Sequence, residues 1–179
     1  MIREVSELLV GVVNKARPAH PPWAELSSLS AADPDPTSSK LAVALYAVEE
    51  HPHLRNRPLV SSPEGHVRPP LALRLHYLMT FIGAHDEAQT RLSLVAAAFH
   101  TTPVIGGTDL PPALAGKVQS VTVRLTSPTD DERNQIWGAL GRPGRLALYY
   151  EVDVAPVELL VKDGHGTVDT HRIDYVDAS

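Results

Sequence analysis

Two histidines, two arginines and two prolines crowd into residues 51–59, HPHLRNRPL. His51 and His53 stand two apart, so on an extended segment both project to one side. That makes a zinc pair feasible, but zinc takes a third and usually a fourth ligand, and no HExxH motif supplies one. Nine histidines in 179 residues make chance pairs easy. The bland alternative is a solvated loop behind a strand. A second basic cluster is Gly141-Arg142-Pro143-Gly144-Arg145. Arg142 and Arg145 suit an anion grip, and the same residues equally suit a helix cap and a turn into the next strand. No GxSxG elbow marks a nucleophile. Gly106-Gly107 lacks both the GxGxxG spacing and the lysine of a phosphate-binding loop. Asp130, Asp131 and Glu132 are explained by a helix dipole, and Glu49 and Glu50 lie where a strand leaves the core. Nothing sets two carboxyls in the contrasting environments that acid–base work needs. Tyr149 and Tyr150 point to opposite faces of a strand: one ring is expected in the core, its neighbour against a partner.

The elements that would position these residues are legible from periodicity. Val5, Leu8, Leu9, Val12 and Val13 recur at helical spacing over residues 2–16, and Pro18 ends that helix. Residues 23–30 read as a short strand and 31–39 as a turn-rich loop. Residues 41–48 form a strand that is apolar on both faces, so cover is expected on both sides. After a polar loop, residues 71–80 alternate Leu71, Leu73, Leu75, Tyr77 and Met79 against Arg74, His76 and Thr80. A helix over 85–100 carries Leu92, Val95, Ala96 and Phe99 as its stripe. A loop leads to a strand at 117–125. Ser127-Pro128 is expected to cap and open a third helix, with Ile136, Trp137 and Leu140 inward and Gly141 ending it. Residues 146–158 read as a long strand. The expected architecture is α+β: a mixed, mainly antiparallel sheet flanked by about three helices. One domain over residues 1–160 precedes a C-terminal hairpin or tail at 161–179.

Composition narrows the classes. The chain lacks cysteine, which removes disulfides, thiolate metal sites and cysteine nucleophiles. Its formal charge of −5 has no basic stripe, and only 5% of residues are aromatic, so neither a phosphate backbone nor stacked bases make a natural partner. No stretch reaches the roughly 20 apolar residues that span a bilayer. The N-terminus carries Arg3, Glu4 and Glu7 where a signal peptide would be apolar. A soluble, cytoplasmic protein is the expectation, with neither nucleic acid nor membrane as a partner.

Four segments in order carry a resemblance: LAVALYAVEEHPHLRNRPL at 41–59, PPLALRLHYLMTFIG at 69–83, the helix and PV over 85–105, and LTSPTDDERNQIWGALGRPGRLALYYEVDV at 125–154. Together they resemble the N-terminal domain of the tail-terminator, or cap, proteins of phage-tail-like contractile injection systems, over roughly residues 2–160. The resemblance implies a phage tail-terminator-like fold and a non-enzymatic cap that forms a ring, typically a hexamer, at the end distal to the baseplate. It implies inner tube and sheath proteins as partners, in the cytoplasm of the producing bacterium as part of the particle. Leu54 then anchors the exit of a core strand, while Arg55, Asn56 and Arg57 donate hydrogen bonds within the subunit or across a ring contact. Arg142, Arg145 and Tyr149 join them as candidate interface or loop-anchoring residues. Ala147 replaces the family's usual serine, and some relatives are considerably longer. Two other readings stand beside the cap: a tube-associated or cytoplasmic adaptor, and a small metal-dependent hydrolase using His51 and His53.

Overall fold

The computed structural model describes residues 1–32, 39–52, 60–62, 65–67 and 71–157. The first helix, α1 (Ile2–Lys15), sets Val5, Leu9 and Val13 one turn apart, and all three are fully buried. Each such side chain contributes roughly 1.5–3 kcal/mol on burial. Ser6 lies on the same face, where its hydroxyl meets the Tyr77 hydroxyl at 2.7 Å. At the other end, Asn14 clamps the chain that follows. Its Oδ1 accepts from the Trp23 and Ala24 backbone N–H groups at 2.8 and 2.9 Å.

That clamp seats β1 (Ala24–Leu26), three residues instead of the eight expected over 23–30. Serines take the rest out of the sheet. Ser27, Ser28 and Ser30 hydroxyls accept from N–H groups two residues on, and Leu29 turns the chain at φ 54°. Next comes β2 (Lys40–Glu50), whose register against its neighbour shifts between Leu45 and Ala47. Two short strands, β3 (Val60–Ser62) and β4 (Gly65–Val67), pair as a separate ribbon where a plain loop was expected. Then follow β5 (Leu73–Ile82), α2 (His85–Thr101), β6 (Val104–Gly106) with a 3-10 turn, β7 (Val118–Thr126), α3 (Asp130–Leu140) and β8 (Ala147–Pro156).

The main sheet runs β1-β2-β5-β8-β7-β6. Only the β1–β2 pair is parallel within it, so the sheet is mixed and mainly antiparallel, as the sequence pattern implies. The alternation of β5 and β8 places Leu75, Tyr77, Met79, Tyr150, Val152 and Val154 under α1 and α2. Phe99 of α2 meets the Tyr150 ring at 5.1 Å. The opposite face carries a smaller core in which Leu29, Ala42, Ala44, Leu78 and Tyr149 pack around Trp137 of α3. This explains why β2 reads as apolar on both faces.

One expected cap moves. Helix α3 is capped by Thr129, not Ser127. The Thr129 hydroxyl accepts from the Glu132 N–H at 3.3 Å, and the Glu132 carboxylate accepts from the Thr129 N–H at 2.7 Å. A capping box needs a Glu or Gln three residues on, and only the Thr129 frame supplies it. Pro128 therefore precedes the cap. Gly141 ends the helix at φ 68°, the left-handed conformation expected of it. The expected boundary at residue 160 and the hairpin at 161–179 lie outside the described residues.

Candidate functional site

The face of the sheet that carries α3 is only half covered. Beyond Trp137 and Tyr149 it turns polar, because β5 and β8 alternate and their outer positions there hold Arg74, His76, Glu151 and Asp153. Pairing sets Arg74 opposite Asp153 and Arg124 of β7 opposite Glu151. Arg74 Nε donates to Asp153 Oδ1 at 2.9 Å, and Arg124 donates to the other carboxylate oxygen. His51 Nε2 lies 3.3 Å from Asp153, and His76 Nε2 lies 3.6 Å from Glu49. Burial works against charge on Asp153, but the hydrogen bonds from Arg74 and Arg124 outweigh it and hold its carboxyl below the usual aspartate range.

Burial and hydrogen bonding fix the charge state of the phenols and carboxyls nearby. Tyr46, Tyr77 and Tyr150 are each pushed up to about 12, mainly by burial, so they stay neutral. Glu132 is pulled down by the backbone and side chain of Thr129 that it caps. The shifts resolved thus move carboxyls and phenols away from neutral pH, opposite to the tuning that acid–base catalysis uses.

The residues singled out from sequence separate cleanly. Arg142 is a loop anchor: its Nε donates to the Leu29 carbonyl at 2.9 Å and its Nη2 to the Ser30 carbonyl at 3.0 Å. The turn after α3 thereby holds the serine-rich loop over the second core. Arg145 is exposed at a shallow cleft whose lining includes His85, Asp130, Arg133 and Tyr149. That cleft carries both signs of charge, which weakens the anion grip. Tyr149 packs into the smaller core. It is 5% exposed, and its hydroxyl accepts from Trp137 Nε1–H at 3.0 Å. Both rings of the tyrosine pair are core because the sheet is covered on both faces at that row. Leu54, Arg55, Asn56, Arg57 and His53 lie outside the described residues. His51 is engaged with Asp153, and no group of three metal-ligating side chains occurs among the described residues.

The Arg74–Asp153–Arg124–Glu151 network escaped the sequence reading. Its members sit at alternate positions of three strands, so each is visible as an outward polar residue, but only strand pairing brings them together. Two further surfaces are apolar. A groove of about 880 Å³ runs between α1 and α2, floored by Leu8, Val12, Leu94 and Ile105. The lateral edges of the sheet expose Leu26, Val48, Val104 and Leu125. Among the described residues no helix is long and apolar enough to cross a membrane.

The sequence matches the family model described as the Pvc16 N-terminal domain over residues 4–169. A search of curated proteins gives no match. Among solved structures, the chain is similar to the sheath/tube terminator of an extracellular contractile injection system, PVC, in its extended state. That likeness has 18% identity and a TM-score of 0.55, and covers 100% of this chain and 64% of that one. A second similar structure is the tube-terminating cap of the anti-feeding prophage, at 20% identity and a TM-score of 0.49, covering 94% of this chain and 59% of that one. The chain thus spans less than two thirds of the length of either solved chain.

Proposed function

The chain belongs to the Pvc16 N-terminal domain family, and from that premise we propose that it is a structural terminator of a contractile injection particle. In this reading it ends the inner tube at the extremity distal to the baseplate and touches the last sheath ring. It acts as a closed ring, a hexamer, of copies of itself, and needs no cofactor, nucleic acid or membrane. It works in the cytoplasm of the producing bacterium, as part of the assembled particle, and makes and breaks no covalent bond.

The family match along residues 4–169 carries this reading. The fold shared with the sheath/tube terminator supports it, as does a charge network built to be held in place. The mechanism is one of surfaces. A tube end exposes an unpaired ring face that would otherwise accept another layer. A terminator must match that face on one side and offer no equivalent on the other, the logic by which natural sheets blunt their edges. A cyclic arrangement stops because it closes on itself. Sheath contact by addition of a strand to an exposed edge fits the same scheme.

Deleting the gene in a particle-producing strain tests this. Expected are tubes of uncontrolled length or defective particles, and a tagged copy restored to the strain should appear at the end away from the baseplate. Normal particles from the deletion strain, or a tag at the baseplate, sink the reading.

A further inference from the structure

We propose that copies of this chain join head to tail through their two sheet edges, the β7–β6 edge of one copy against the β1–β2 edge of the next. The inference rests on the ring reading above and specifies how the ring is made.

Both edges are stepped. On one side β1 covers only Leu41–Val43 of β2, and the β2 stretch from Leu45 onward has no strand beside it among the described residues. On the other side β6 covers only Ser120–Thr122 of β7, and Pro103 extends that cover to Val123 through its carbonyl. Arg124–Thr126 are then open on that edge among the described residues. The steps lie at opposite ends of the strands, so each edge protrudes where the other is notched.

The pairing registers make the fit quantitative. Leu26 lies in the row of Met79, through Val43, and Leu125 lies in the row of Tyr77, through Tyr150. Val48 lies in the row of Leu75, and Ile105 lies in the row of Leu73, through Val121 and Val154. A single slip of two residues between neighbouring copies therefore sets Leu26 beside Leu125 and, in the same move, Val48 beside Ile105. Because the slip is even, all four side chains stay on the face that carries α1 and α2; an odd slip would turn one edge inside out. In that register β1 of one copy and β6 of its neighbour stand end to end in one column, without overlap. β1 then runs antiparallel to the neighbour's β7, and β6 runs parallel to the neighbour's β2.

The occupant is a second copy because the complement of each edge is the other edge of the same chain. Leu26, Val48 and Leu125 are 43%, 46% and 57% exposed, and the joint covers them. Such a contact is heterologous, the kind that generates rings when its rotation closes.

The chain has no cysteine, so introduced thiols report without background. The test is the full chain carrying Leu26→Cys with Leu125→Cys, oxidised as free protein and on purified particles. Within one copy the two positions are separated by about four strand spacings of about 4.8 Å, too far for a disulfide. The expected result is a ladder of species at multiples of 19.4 kDa that collapses on reduction. Each single variant, and the pair Leu26→Cys with Val104→Cys, stays at the chain mass, since Val104 lies on the opposite face. Both replaced leucines are exposed, so the fold is kept. Cross-linking of a single variant with itself overturns the proposal, because it means like edges meet. So does a double variant that remains at the chain mass while rings are visible by electron microscopy. In that case the terminator reading survives and this joint alone falls. Absence of any ring, free or on tubes, removes both.

Discussion

Trp137 and Tyr149 hold each other in the smaller core, indole to phenol, with the sheet on one side and α3 on the other. Replacing Trp137 by phenylalanine removes the donor and leaves a buried hydroxyl short of a partner. The expected loss is about 1–3 kcal/mol, read as a lower urea midpoint. Asp153 contributes to the acid limb. Its folded carboxyl titrates below the unfolded value of 3.8, so its stabilisation is complete above that value and is lost as pH falls through the folded one. Asp153→Asn should therefore flatten the fall in stability below about pH 4 and lower the plateau at neutral pH, measured by thermal melts across that range. At this scale the sequence conveyed residue type and facing but not partners. The alternation showed that Tyr149 and Tyr150 face apart; it could not show that both faces are covered. Arg142 read as a turn residue, and its carbonyl acceptors lie more than a hundred positions earlier in the chain, beyond the reach of local pattern.

The elements tell a different story about legibility. Long periodic segments stood out because burial enforces the repeat. Val5, Leu9 and Val13 mark α1, and Leu73, Leu75, Tyr77 and Met79 mark β5. Short elements did not. The three residues of β6 are too few to alternate, and they are strand because Ile105 fits the core beside Val121, a tertiary cause. The start of α3 was missed by two residues because serine before proline is a good local signal. The reciprocal bonds of Thr129 and Glu132 are a better one, present in the sequence as T-x-x-E. Thr129→Ala should cost about 1 kcal/mol, with helix content at 222 nm retained until unfolding. Gly141→Ala should cost about 1–2 kcal/mol, because the left-handed backbone resists a side chain and the added carbon would meet Ala31 at 3.1 Å. Urea titration of both variants checks the two ends of one helix.

For the whole molecule, the decisive fact is a sheet with a core on each side. Leu9 sits in the larger core and Trp137 in the smaller, with the strands between them. Leu9→Ala should cost about 2–5 kcal/mol. Its effect should add to that of Trp137→Phe within roughly 0.5 kcal/mol, since the two lie in separate cores on opposite faces of the sheet. Clear non-additivity in the double variant's urea midpoint would mean that the strands transmit strain from one side to the other. The α+β architecture was legible from sequence because three helices and the principal strands each carry a complete pattern. The edges were not, since where a border strand stops depends on what its neighbour leaves uncovered.

The hold of Asn14 on Trp23 and Ala24 has a mechanical meaning. Three residues zipped to one flank of a sheet would peel away under modest tension. Here the first of the three, Ala24, and Trp23 just before it are also riveted through an amide side chain to α1, whose underside is sunk in the larger core. A tug on that border is therefore shared at once between two layers of the body, and the weakest strand by length becomes a sound place to attach a load.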